Sequence, residues 1–117
     1  ELSRRLGAAG SAVRATAAHP GWTATDLQRT AGAVRFLNPI FAMKPEGGAM
    51  PTIRAAVDPP AQSGTYWGPA GLFEMNGPPA RARLSRSARD AAVAARLWTT
   101  SETLTGIHYG LPAGAAA

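Results

Sequence analysis

An α/β layer built on parallel strands is the fold this sequence predicts, on three observations. The elements along the chain alternate as helix, strand, flap, helix, strand, helix, the rhythm of parallel strands joined by covering segments. The first strand candidate is small and β-branched with a single arginine, a composition suited to a strand covered on both faces. Two later segments repeat apolar residues at helical spacing. About two strands and three to five helices are therefore expected. Two strands alone are marginal in water, and parallel ones need cover on both faces. The 117 residues are accordingly expected to be incomplete as a domain, with further strands supplied from elsewhere.

Residues 1–10 read as the end of a helix. Leu2 and Leu6 lie four apart on one face, Arg4 and Arg5 lie on another, and Gly10 follows as the capping glycine. The chain is thus expected to begin inside an element. Residues 12–18, from Ala12 to Ala18, are the first strand, and His19-Pro20-Gly21 ends it, because proline has no amide hydrogen and glycine tolerates unusual backbone angles. Residues 19–44 mix polar capping residues with Gly32 and Asn38-Pro39, which suits a covering flap with one or two short helices.

Residues 45–58 form the next helix. Pro45 and Glu46 make a favourable start, Ala49, Met50, Ile53, Ala56 and Val57 make an apolar stripe, and Asp58-Pro59-Pro60 ends it. Residues 64–68 read as the second strand, and Pro69 to Pro79 as a Gly/Pro-rich connection of no regular period. Residues 87–106 are the last helix. Ser87 and Asp90 resemble a capping box, Val93, Leu97, Trp98 and Leu104 recur at helical spacing, and Gly106 ends the run. Residues 107–117 have no periodic signal and read as a mobile tail.

Composition narrows the function classes. Hydrophobic residues make up 45% and charged residues 16%, an ordinary globular balance. The net charge of +5 comes almost wholly from arginines scattered along the chain, which does not point to a nucleic-acid partner. No apolar run reaches the roughly 18 residues of a membrane span. The lack of cysteine removes disulfides, thiolate catalysis and cysteine-ligated zinc, and no metal site is assigned. With no membrane span and no charged-then-apolar signal sequence read at its start, a soluble cytoplasmic protein is expected. Phosphate loops, Gly-x-Gly-x-x-Gly turns and zincin helices are missing, and the two histidines lie far apart. His19 can be read as a general base or as a histidine ending a buried strand and bonded to backbone; no positioned partner is visible for the first role.

Ala18 to Leu27, AHPGWTATDL, follows directly on a small-residue strand. It resembles the segment after the sixth strand of short-chain dehydrogenases/reductases, and within them the retinol-dehydrogenase-like and protochlorophyllide-reductase-like subgroup, where a histidine often precedes the Pro-Gly. Residues 1–11 are similar to the end of the helix that carries the family's Tyr-x-x-x-Lys. Pro45 to Pro59 is similar to the helix before the last strand, Gly64 to Gly71 to that strand and its exit, and Leu97 to Gly106 to the closing helix. The likeness spans nearly the whole chain in the family's order. It implies the C-terminal portion of a Rossmann-like doubly wound parallel sheet.

The resemblance implies a cofactor, NAD or NADP, and assigns contacts to it. Pro20 and Gly21 border the nicotinamide, the backbone of Thr23 pairs with its carboxamide, and the hydroxyl of Thr25 bonds the carboxamide or the pyrophosphate; capping of a short helix is the other reading of the two threonines. Thr23 stands where the family more often has an aliphatic residue. Trp22, Phe36, Leu37 and Phe41 are the implied apolar contacts of a substrate flap, for a small-molecule alcohol or carbonyl compound, and a core role is the alternative for each. Tyr66 and Trp67 are expected in the core or at a subunit interface of a homo-oligomer, and Trp98 in the core.

The family's chemistry also needs a tyrosine with a lysine four residues on, a serine that orients the carbonyl, and a Gly-rich turn. Tyr66 and Tyr109 lack that lysine, and Lys44 has no tyrosine four residues before it. No catalytic residue is assigned, and the chain alone is expected to be inactive. It is expected to be part of an NAD(P)-dependent oxidoreductase whose N-terminal part lies elsewhere. A non-catalytic remnant acting through subunit association is the alternative, and a small basic binding domain is a third reading.

Overall fold

A computed structural model describes residues 1–23 and 43–114. They fall into two compact units: a helix unit of Glu1–Ala15, Gln62–Gly64 and Arg83–Ala117, and a sheet unit of Thr16–Ala61 and Thr65–Ala82.

The sheet unit is mixed α/β. Strands β1 (Ala17–Ala18), β2 (Tyr66–Pro69) and β3 (Pro79–Arg81) stand in the order β1-β2-β3. β1 pairs parallel with β2, placing Ala17 opposite Tyr66 and Ala18 opposite Trp67. β2 pairs antiparallel with β3, placing Trp67 opposite Arg81 and Pro69 opposite Pro79. The parallel pair matches expectation, while β3 begins at Pro79, the last residue of the connection read as irregular, and continues into residues for which no element is expected. The described sheet is therefore mixed rather than wholly parallel.

The strand expected over residues 12–18 forms ladder bonds only at its end. β2 cannot extend backward to meet its earlier residues, because Gly64 turns the chain with φ at 83°. Ala15 bonds that turn instead, its amide donating to Ser63 Oγ and its carbonyl accepting from the Gly64 amide. Residues 11–14 are exposed rather than buried as a consequence.

Helix α2 (Pro45–Val57) starts at its proline as expected, with Glu46 in the first turn. The face it packs differs from the apolar stripe. Gly48, Pro51 and Ala55 are buried, whereas Met50, Ile53 and Val57 are exposed. Close approach decides this: a Cβ on Gly48 would fall 2.2 Å from Thr23 Oγ1, so only a side chain of hydrogen fits. Ala55, Ala61 and Trp67 form the core cluster. The Arg54 guanidinium lies over the Trp67 ring at 5.0 Å, bonds the Asp58 carboxylate and donates to Pro79 O at 2.7 Å, tying α2 to β3.

The helix unit contains α1 (Leu2–Ala8), α3 (Arg86–Arg89) and α4 (Ala91–Thr105). Gly10, with φ at 64°, ends α1 as expected: its amide donates to Gly7 O and that of Ser11 to Leu6 O, the paired bonds of a Schellman motif. The single helix expected over 87–106 is divided. Ser85 caps α3 by accepting from the Ala88 amide, and Asp90, in extended backbone, caps α4 by accepting from the Ala92 and Val93 amides. Asp90 is thus an N-cap and not the inner member of a box opened by Ser87. Gly106 ends α4 with φ at 69°. No helix among the described residues is long and apolar enough to cross a membrane.

Candidate functional site

The described part of the candidate site lies in the sheet unit, where the chain leaves β1. The His19 amide donates to Trp67 O at 2.9 Å, carrying the parallel ladder one residue further before Pro20 stops it. Pro20 is exposed at this end. Gly21 follows in the left-handed region, φ 65°, and a Cβ there would lie 2.5 Å from both Met75 O and Pro69 Cγ. Backbone angle and space both demand glycine. The Trp22 amide donates to Met75 O at 2.7 Å, and the Met43 amide to Trp22 O at 2.8 Å.

Thr23 is buried, bridges to Met43 as an isolated parallel pair, and donates its hydroxyl to Pro20 O at 2.9 Å. Its side chain locks the turn from inside and fills the space left by Gly48. Pro20, Gly21, Trp22 and Thr23 are therefore brought together at the carboxyl end of a parallel strand. Thr25, Phe36, Leu37 and Phe41, along with most of the flap over residues 19–44, lie outside the described residues.

His19 turns out to have partners. Its Nδ1 accepts from the Gly21 amide at 3.3 Å, which is the backbone-bonded role. Its ring lies on Gly68, where a Cβ would fall 1.9 Å from Nε2, and 5.1 Å from the Tyr66 ring. Nε2 is buried and stands 3.3 Å from Glu74 Oε2, an ion-pair distance without hydrogen-bond alignment. Glu74 was not legible in the sequence. It sits in a 3-10 turn, Leu72–Glu74, inside the stretch read as irregular, where Phe73 and Glu74 take φ of 52° and 56°. Two successive non-glycine residues in that region leave no compositional mark.

Tyr66 is half-buried against His19, and Trp67 is a core residue whose Nε1 donates to Thr65 Oγ1 at 3.0 Å. Trp98 lies in the helix unit, half-buried, with Arg5 over its ring at 4.7 Å and Tyr109 at 5.7 Å. Beside it a cavity of about 580 Å³ is lined by Val93, Leu97, Ile107 and Tyr109 among others. Among the described residues no group of three or more His, Asp or Glu side chains could hold a metal ion. Compared with known proteins, the chain matches no family model, no curated protein and no solved structure.

Chemically, the turn is a preformed shelf. Its Gly21 and Trp22 amides are satisfied from within, Thr23 braces it, and it offers the outside an apolar proline ring beside a side-chain-free backbone.

Proposed function

We propose that this chain supplies the nicotinamide-contacting edge of an NAD(P)-dependent oxidoreductase that interconverts an alcohol and a carbonyl compound, as the C-terminal portion of a Rossmann-like short-chain dehydrogenase/reductase domain working in the cytoplasm. The reading rests on one observation: His19-Pro20-Gly21 lies at the carboxyl end of a strand in a parallel pair, where ligands of open α/β sheets bind, with Gly21 held left-handed and without room for a side chain. The exposed Pro20 beside Gly21 supports this reading, as an apolar contact that a nicotinamide ring could border.

When bound, the nicotinamide would give or accept a hydride. This chain's part is to orient the ring. Pro20 and Gly21 would pack against it, the Thr23 backbone would meet the carboxamide, and Thr25, outside the described residues, would add a hydroxyl. Trp22 would border a hydrophobic alcohol or carbonyl substrate, with Phe36, Leu37 and Phe41, outside the described residues, as the further apolar contacts of this reading. The tyrosine, lysine and serine that handle the substrate proton would come from the missing N-terminal part.

Titration of the isotopically labelled chain with NADH and NADPH tests this. Half a site should bind weakly, with Kd of roughly millimolar order, and perturb the Gly21 and Trp22 amides without turnover. Unmoved amides at these positions, or turnover by the chain alone, would overturn it. The alternative, a non-catalytic association module that forms homo-oligomers, is favoured by Leu97, Leu104 and Ile107, which lie exposed on and after α4. A molecular mass that rises with concentration would support that alternative.

A further inference from the structure

His19, Gly21, Gly68 and Glu74 come from three stretches of the sheet unit and meet at one imidazole. The ring can lie where it does only because residue 68 has no side chain. Its Nδ1 takes the Gly21 amide two residues on, the same span that an Asx turn closes. An acceptor Nδ1 carries no proton, so in the neutral ring the hydrogen sits on Nε2, which lies 3.3 Å from the Glu74 carboxylate without being aligned on it. Glu74 is delivered there by the left-handed backbone at Phe73 and Glu74, a conformation that side-chain-bearing residues enter only at a cost.

The same loop also builds the turn. Met75 O accepts the Trp22 amide, and Met75 O and Glu74 O are among the atoms that would crowd a Cβ on Gly21. One nitrogen takes the Gly21 amide, and the other lies buried at ion-pair distance from Glu74 without a hydrogen bond to it. Among the described residues, the titratable groups against it are Tyr66 of β2 and Glu74.

We propose that His19, held by Glu74, is a positioning residue: its neutral ring fixes the Gly21 amide and thereby the shape of the Pro20–Thr23 turn. The inference rests on the proposed function for what the turn binds, and on geometry alone for the turn itself. It carries a pH signature. A protonated ring places a hydrogen on Nδ1, donor against donor with the Gly21 amide, so the turn loosens at Gly21 as His19 takes a proton.

Amide resonances and hydrogen exchange of the labelled full chain test it. The Gly21 amide should titrate together with the His19 ring. In His19→Asn, whose side-chain oxygen can still accept from Gly21, exchange protection should stay within about twofold of wild type, and the pH response should vanish. In His19→Gln, protection of Gly21 should fall roughly tenfold, the loss of one backbone-anchoring bond, and in Glu74→Ala by about threefold. A Gly21 amide indifferent to the His19 titration, equal protection in the Asn and Gln variants, or full protection in Glu74→Ala would overturn the proposal. NADH titration of the same samples separates the two readings. Binding weakened about tenfold in His19→Gln and kept in His19→Asn supports both. No NADH binding by wild type, with the amide results intact, overturns the nicotinamide reading and leaves the positioning role standing.

Discussion

Among the described residues of the sheet unit, burial falls mostly on small or cyclic residues: Gly48, Pro51, Ala55, Ala61, Gly68 and Pro69 are buried together with Thr23 and Trp67, and Ala55 and Ala61 form the core cluster with Trp67, which is only 4% exposed. In the helix unit, α1, α3 and α4 bury no residue at all, and Leu97 and Leu104 on α4 stay exposed. That unit is tied by polar atoms: Glu1 accepts from Arg4 and Arg5, Arg5 reaches Leu111 O and covers Trp98, and Thr99, Ser101, Thr103 and Thr105 each bond back to the carbonyl four residues earlier. The contrast teaches where atoms can be added. In the sheet unit Gly21, Gly48, Gly68 and Gly71 have no room for a new carbon, while Gly7, Gly10, Gly106 and Gly110 of the helix unit have open space.

The largest test of this contrast is to remove each unit's tryptophan ring. Trp67→Ala should cost about 3–5 kcal/mol in chemical denaturation, because among the described residues it empties the one large side chain of the core cluster. Trp98→Ala should cost about 1–2 kcal/mol, the loss of one cation–π and one ring contact at a half-buried position. Equal losses would mean that the helix unit has a core of its own after all.

Next in size is one substitution made in two helices. Gly→Ala inside a helix normally stabilises by about 0.5–1 kcal/mol. Gly7 of α1 has open space where a Cβ would go, so Gly7→Ala should show that gain as a raised denaturation midpoint. Gly48→Ala should reverse the sign and cost about 1–3 kcal/mol, since the added carbon would sit 2.2 Å from Thr23 Oγ1 and 2.8 Å from its Cγ2. Two gains would show that Thr23 can step aside and that the turn is not braced by α2.

The same division explains what the sequence made legible. The capping glycines at 10 and 106, the start of α2 at Pro45 and the break after His19 were all readable, because each is decided by the backbone preferences of a few adjacent residues. The packed face of α2 was not, since an apolar stripe predicts burial only where something lies against it, and here glycine, proline and alanine win by allowing contact. β3 was hidden by Pro79 and by a pairing whose partner is β2. At the candidate site the Pro-Gly turn was visible and Glu74 was not, because its approach to His19 depends on left-handed angles at Phe73 and Glu74.

A smaller effect belongs to the polar stitching of the helix unit. Burial opposes charge on the Glu1 carboxylate, but hydrogen bonds and charge attraction from Arg4 and Arg5 outweigh it and hold the group below its ordinary value of 4.5. A carboxylate depressed on folding stabilises fully above its unfolded value and loses that contribution as pH falls through the folded one. Stability should therefore drop below about pH 4.5 by about 1 kcal/mol at most, and Glu1→Gln should flatten that part of the profile. An unchanged profile would remove the Glu1–arginine bonds from the account.

The smallest expected effect is also the most specific to the helix unit. Leu104 on α4 is 81% exposed, so Leu104→Ser exchanges a side chain that covers little for one that can bond back along the helix, as Thr99, Ser101, Thr103 and Thr105 do. The helix propensities of leucine and serine differ by only a few tenths of a kcal/mol, and the lost burial is of similar size. Denaturation should then shift by less than about 0.5 kcal/mol. A loss above about 2 kcal/mol that grows with protein concentration would mean that Leu104 is covered in solution by another chain, and that the exposed face of α4 is an interface between copies.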